Sequence, residues 1–418
     1  MVQIPAFEVE QWMDAYENTP GVLNIAETCA RSLSVSELRD LHEASGSAGG
    51  PPAMVDLALP MTYGAIRGSA ELRRNIAALY SDDDGTPAAA AAAEVEEVGE
   101  EEEDDGKVTP DDVLVTQGAI AANHLVFYAL VGPGDHVVCV YPTYQQLYTV
   151  PATLGAEVSL WRLRAEDGYV PDVAVLKGLM KANTKMIIIN NPNNPTGAPI
   201  PLPTLTQIIA LARSHNILLL SDEVYRPLFH TLPPPPSALA LGYPRVIATS
   251  SMSKAWALAG IRIGWAACRD RGIMARLAAA RDYTTISVSR LDDQVATYAL
   301  GAAVRPALLR RNVALARANL ELVRAFVGRH AGVCAWVAPT AGTTAFVRFG
   351  GKDGRAVDDE AFCKDVLAKT KVMFVPGAKC FGDGSDFRGY VRIGYVCDTE
   401  VLREALERLS VYVSENLN

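Results

Sequence analysis

Between Pro110 and Ser251 short apolar runs alternate with helix-spaced stretches, and this alternation narrows the possible folds more than any other feature of the chain. VLVT (113–116), HVVCVY (136–141), AEVSLWRL (156–163), KMIIIN (185–190), ILLLSD (217–222) and RVIATSS (245–251) have the length and the β-branched or leucine-rich content of buried strands. IAANHLVFYALV (120–131) and TLTQIIALARSH (204–215) carry helical spacing, and Gly132-Pro133-Gly134-Asp135 is a turn. Strands of this kind separated by helices build a mainly parallel sheet covered on both faces. The expected class is α/β: a large domain with a mainly parallel sheet plus a smaller α+β domain.

The flanks suggest the domain limits. Residues 1–45 read as an N-terminal arm belonging to the smaller domain, with Ser34 capping the helix SVSELRDL. Residues 46–303 form the large domain, opened by the turn-forming GSAGGPP (46–52) and the amphipathic helix ELRRNIAALYS from Glu71. A long helix over about 304–330 begins the C-terminal small domain, 304–418. Strands are expected there near AFVRF (345–349), KVMFVPG (371–377) and YVRIGY (390–395), before a last helix over 400–415.

The formal net charge of −10 comes from one place: residues 82–106 carry twelve acids and no base. This acidic low-complexity insert (82–107) leaves a nearly neutral body, with neither a basic face for nucleic acid nor a polybasic patch for membranes. Seven cysteines, with no CxxC and no histidine at metal spacing, read as free thiols in a reducing compartment, and no metal site is expected. The N-terminus lacks the basic run and apolar core of a targeting peptide, and no apolar run is long enough to span a bilayer. A cytoplasmic protein is expected.

In open α/β sheets ligands sit beyond the carboxyl ends of the strands. There this chain places Asn194-Pro195-Thr196-Gly197, then Asp222 and Tyr225, then Ser251-Met252-Ser253-Lys254, with Arg262 eight residues on. NPNNPTG, SDEVY and SMSKAWALAGIRIGW, in this order, resemble the motifs of the class I/II aminotransferases, which are fold-type I enzymes dependent on pyridoxal 5′-phosphate (PLP). The matched segments run from Tyr63 to Tyr395.

The resemblance assigns expected roles, each with a chemical reason. Lys254 resembles the Schiff-base lysine, whose amine condenses with the PLP aldehyde and later moves the substrate's α-proton. By composition alone Lys254 would read as a surface lysine. Asp222 resembles the carboxylate that keeps the pyridine nitrogen protonated, so that the ring stabilises a Cα carbanion. Tyr225 and Asn194 would hydrogen-bond the ring's phenolic oxygen, and Asn194-Pro195 is a candidate cis bond. Without a cofactor, Asn194 would serve its turn and Asp222 would cap the one after its strand.

Arg262 offers a bidentate fork and Ser251 a hydroxyl to the cofactor phosphate, with Ser253 beside them. Gly118, Ala119 and Ile120 join a strand to a helix, where backbone amides favour an anion; Ile120 departs from the hydroxyl residue many relatives carry. Tyr144 resembles the residue stacked on the ring, with a half-buried core tyrosine as its alternative. Arg392 in YVRIGY resembles the clamp on the substrate α-carboxylate; otherwise it is a salt-bridged edge residue. Tyr63 in TYGAIRGSAELR resembles the tyrosine that reaches the phosphate of a neighbouring subunit, which implies a homodimer with shared sites. His124, in an apolar helix, reads as a packed core histidine.

An enzyme acting on a small amino-acid substrate follows, with transamination as the family's default. RDYTTISVS (281–289) is similar to a stretch in the subgroup resembling capreomycidine synthase, so elimination with ring closure is the alternative. A non-catalytic PLP-binding regulatory domain is a third reading. About 50 residues with few bases precede the large domain, which leaves little room for a DNA-binding module.

Overall fold

A computed structural model of the chain describes residues 4–44, 53–80, 107–231 and 233–417. The GSAGGPP turn and the acidic insert, Lys107 apart, lie outside the described residues.

Strand β1 (Leu23–Asn24) lies near the N-terminus. The next seven strands form one sheet: β2 (Val113–Thr116), β3 (His136–Tyr141), β4 (Glu157–Arg162), β5 (Thr184–Asn190), β6 (Leu218–Asp222), β7 (Val246–Ser251) and β8 (Gly264–Ala267). Their spatial order is β2-β8-β7-β6-β5-β3-β4. All neighbours pair in parallel except β8, which runs antiparallel to both β2 and β7. Val113, Val138, Ile187, Leu219 and Ala248 enter one apolar cluster, while Leu114, Val137, Ile188, Leu220 and Ile247 enter another. Successive residues thus serve opposite faces, and both faces are covered. That is why the strands read as unbroken apolar runs.

Two expectations change here. Strand β8 was not anticipated, because glycine and alanine have little strand preference of their own; pairing on both sides supplies what propensity does not. KVMFVPG, expected as one strand, divides in two. Its first half, after β9 (Cys334–Trp336) and β10 (Thr344–Phe349), is β11 (Val372–Met373), which pairs in parallel with β1. Its second half is β12 (Val375–Pro376), which joins β13 (Tyr390–Gly394) in an antiparallel sheet ordered β12-β13-β10-β9. Pro376 lacks a ladder donor, so this piece stays short and at the edge.

The long helix spans Arg305–Arg329 and packs on the last helix, Thr399–Asn416. His124 is not in the core. It lies on the exposed side of the helix Gly118–Leu130, stacked on Tyr128 with ring centroids 6.3 Å apart. Ile120, His124 and Tyr128, spaced four apart, share that outward stripe. All seven cysteines are free, five of them buried. No helix among the described residues is long and apolar enough to cross a membrane.

The carboxyl ends of β2, β3, β5, β6 and β7 reach one edge of the large sheet. Antiparallel β8 begins at that edge, so Thr116 at the end of β2 and Ser251 at the end of β7 both face Gly264.

Candidate active site

Asn190 and Asp222 stand in register at this edge, with Thr249 next to Asp222. A cleft of about 640 Å³ opens there. Eleven of the residues expected from sequence line it: Ala119, Ile120, Tyr144, Asn194, Asp222, Tyr225, Ser251, Ser253, Lys254, Arg262 and Arg392. They come from six separate stretches of chain, so the sheet edge and not sequence proximity assembles them.

The loop after β7 carries Lys254. Its Nζ donates to Thr28 Oγ1 at 2.6 Å and lies 3.5 Å from both Cys29 Sγ and Glu27 Oε1. Burial works against the lysine's charge, but its surroundings, with the Cys29 and Glu27 side chains nearest, outweigh it and hold the pKa above the ordinary lysine value. Burial also keeps Cys29 a neutral thiol, with its pKa pushed up to about 11, so Glu27 is the anion actually present. Burial opposes that ionisation too. Lys254, the Cys29 side chain and the Thr28 and Cys29 amides overcome it, bringing Glu27 down to about 2.

Asp222 is 3% exposed. Its Oδ2 accepts from Asn123 Nδ2 at 2.9 Å, and its Oδ1 accepts from the Val224 amide at 3.2 Å. Burial raises its pKa to about 6 even so. A cation placed against it would restore the charged form. Asn123 is held in turn by the Thr249 hydroxyl, which donates to its Oδ1 at 2.6 Å.

Anion-binding groups collect at the other end. Gly118 opens the helix Gly118–Leu130 with φ +77°, and a Cβ there would meet Arg262 Nη2 at 2.9 Å. Arg262 stands just before β8 in a left-handed conformation, φ 51°. Its Nη1 donates to Ala259 O at 2.9 Å and to Ser253 Oγ at 3.4 Å. The Ser251 hydroxyl accepts from the Ser253 amide at 3.2 Å. A helix N-terminus, a guanidinium and two hydroxyls around one glycine turn make a phosphate-sized cradle.

Arg392 belongs to β13, which is flanked on both sides, so it is not an edge residue. Its Nη1 donates to Asn194 Oδ1 at 3.3 Å and its Nη2 to Ala26 O at 2.9 Å. Its buried Nε has no partner among the described residues, which leaves a donor for an incoming carboxylate. Asn194 is fixed from behind, its backbone N–H donating to Asn190 Oδ1 at 2.7 Å, and the Asn194–Pro195 peptide is cis as expected. Burial pushes the Tyr225 phenol up. Tyr144 packs on Phe7 and donates its hydroxyl to Glu10 Oε1 at 2.9 Å.

Tyr63 stands apart from the cleft and is 80% exposed. Sequence reasoning missed Asn123 and the trio Glu27, Thr28 and Cys29. It also missed three acids on or beside the helix Glu8–Tyr16 that line the same cleft: Glu10, Asp14 and Glu17. The clearest signal for Asn123 was an amide in an otherwise apolar helix. The set fits PLP: an anion cradle, a buried carboxyl for the ring nitrogen, a lysine for the aldehyde and an orphaned guanidinium nitrogen for the substrate.

Comparison with known proteins agrees. Residues 60–409 match the family Aminotransferase class I and II. Capreomycidine synthase of Streptomyces vinaceus is 33% identical over 307 residues, which is 73% of this chain and 74% of that protein. A PLP-dependent aminotransferase from Streptococcus suis 89-1591 superposes with a TM-score of 0.83 at 34% identity, covering 100% of this chain and 99% of the other. The PLP-dependent cyclase OrfR superposes with a TM-score of 0.81 at 26% identity, covering 99% and 98%.

Proposed function

The chain belongs to the class I and II aminotransferase family and is therefore a PLP-dependent enzyme acting on amino acids; from that premise we propose how its own residues divide the work. Bound PLP supplies an electron sink that makes the Cα–H bond of an amino acid acidic. Lys254 holds the cofactor covalently and, when free, carries the substrate's α-proton on Nζ. Asp222, kept in place by Asn123, holds the ring nitrogen's proton. Asn194 and Tyr225 hydrogen-bond the phenolic oxygen, and Tyr144 covers the ring. Arg262, Ser251, Ser253 and the amides of Gly118, Ala119 and Ile120 hold the phosphate, and Arg392 orients the substrate carboxylate. The observation that carries this reading is one cleft containing Lys254, Asp222, Arg262 and the incompletely paired Arg392.

Transamination is the reaction this set supports first. A second reading, elimination with ring closure, is favoured by the acids Glu10, Asp14, Glu17 and Glu27 in the cleft that holds Arg392. Such a wall suits a substrate with a cationic side chain, and the likeness to the cyclase OrfR supports ring closure. The segment 281–289 does not line the cleft.

Borohydride reduction of the yellow protein should fix the cofactor to a peptide containing Lys254. Lys254→Ala should lose at least about a thousandfold in turnover. Full turnover by that variant removes the proposal. An amino-acid panel then separates the two reactions. Keto-acid formation with loss of the visible band means transamination; release of a leaving group with the band retained means elimination.

Residues 46–303 are the large domain in this reading, and 1–45 with 304–418 the small one. The active form is a homodimer. Leu57, Met61, Tyr63 and Ile66 are exposed, as are Tyr283, Ile286 and Leu291. The two stretches form one patch: Arg290 donates to Pro60 O at 2.8 Å, and the Asp56 amide donates to Gln294 Oε1 at 2.7 Å. A second copy covering this apolar patch would bring Tyr63 to its neighbour's phosphate. Seven free thiols favour a cytoplasmic location.

A further inference from the structure

Behind the cleft wall lies a second cavity of about 330 Å³ that shares no lining residue with the first. The two are close through the backbone. Ser250 lines the second and Ser251 the first, as alternation along β7 requires. Likewise Glu223 follows Asp222, and Trp256 lies two residues beyond Lys254. The outer wall is the first turns of the long helix Arg305–Arg329.

Most of the lining is apolar, from Leu79, Tyr80, Trp256, Trp265, Pro306 and Leu309. The indole of Trp265 is tied to Tyr80, its Nε1 donating to the phenol oxygen at 2.8 Å, which stiffens that side. Three arginines, Arg226, Arg305 and Arg310, stand against one carboxylate, Glu223. That carboxylate is already satisfied. Its Oε1 accepts from Ser221 Oγ at 2.9 Å and the Ala238 amide at 3.0 Å; its Oε2 accepts from Ser237 Oγ at 2.7 Å and lies 3.6 Å from Arg226 Nε. Arg310 adds a charge that Glu223 does not meet. Arg310 is exposed, and its side chain has no hydrogen bond or ion pair among the described residues.

A box with indole walls and a guanidinium at its mouth suits a flat apolar anion, and its volume is in the small-ligand range. We propose that this cavity is a regulatory site for an aromatic monocarboxylate, with the ring against Trp256 and Trp265 and the carboxylate on Arg310. An occupant presses on the backbone that carries Asp222, Ser251 and Lys254, so binding there changes turnover.

Full-length holoenzyme titrated with 3-phenylpropionate tests this, with tryptophan fluorescence reporting binding and steady-state assays reporting turnover. An aminooxy acid that caps the cofactor aldehyde keeps the probe out of the cleft during the fluorescence titration. A saturable change is expected, with its midpoint weakened about tenfold in Arg310→Gln. The uncharged analogue 3-phenylpropanol should bind at least about tenfold more weakly. Leu309→Trp, which fills the cavity, should abolish binding. Turnover of the wild type should change at least about twofold at saturation, and that of Leu309→Trp should not respond. The proposal is overturned by a flat titration, by binding that vanishes when the cleft is blocked, by a midpoint indifferent to Arg310→Gln, or by unchanged wild-type turnover at saturation.

Discussion

Asp222 is a carboxyl in surroundings that favour its protonated form, and the effect has a sign that can be measured. Its folded pKa of about 6 lies above the unfolded value of 3.8. The protonated side chain therefore contributes stability that is complete below about pH 4 and lost as pH rises through about 6. Cofactor-stripped protein should lose up to about 3 kcal/mol across that window relative to Asp222→Asn. Denaturant melts of both proteins at pH 4 and pH 8 check this, and a gap that stays constant refutes it. Lys254, Asp222, Asn194, Ser251 and Arg262 were legible because each sits in an unbroken motif at a strand end. Glu27 and Thr28 were not, because nothing in a linear string connects them to a lysine 226 and more residues away. Asn123 was hidden differently, as one polar residue in an apolar helix.

Strand β8 is the element that returns the chain to the site, and Gly264 is where it passes closest. A Cβ at Gly264 would lie 2.3 Å from Gly118 C and 2.5 Å from the Ala119 nitrogen, and both of those atoms are backbone. Gly264→Ala must therefore displace the turn proposed to hold the phosphate and leave Lys254 in place. The expected result is cofactor affinity lowered about tenfold or more, read by dialysis against visible absorbance, with a Lys254 adduct still formed at high PLP. Wild-type retention would show that the turn accommodates the added methyl group. Runs such as MIIIN and ILLLS announced their strands because burial on two faces demands apolar residues throughout. GWAA did not, since its place depends on partners on both sides.

At the scale of the molecule, the patch around Tyr63 and Tyr283 decides whether one copy suffices. Sites shared between subunits predict complementation. A Tyr63→Ala protein mixed with Lys254→Ala, dissociated and reassociated, should exceed the summed activity of the two alone, because each mixed pair contains one intact site. Additive activity would argue for sites complete within one chain. The two-layered sheet core was readable from the order of its runs, whereas the patch was foreshadowed only by Tyr63. Arg392 grips the carbonyl of Ala26 across 366 positions of the chain. The grip proposed for a substrate is thus tied to residues spelled near both tails of the message. A growing polypeptide would finish its central sheet long before it could hold an amino acid. A nick that frees either tail would leave a sound scaffold with an open hand.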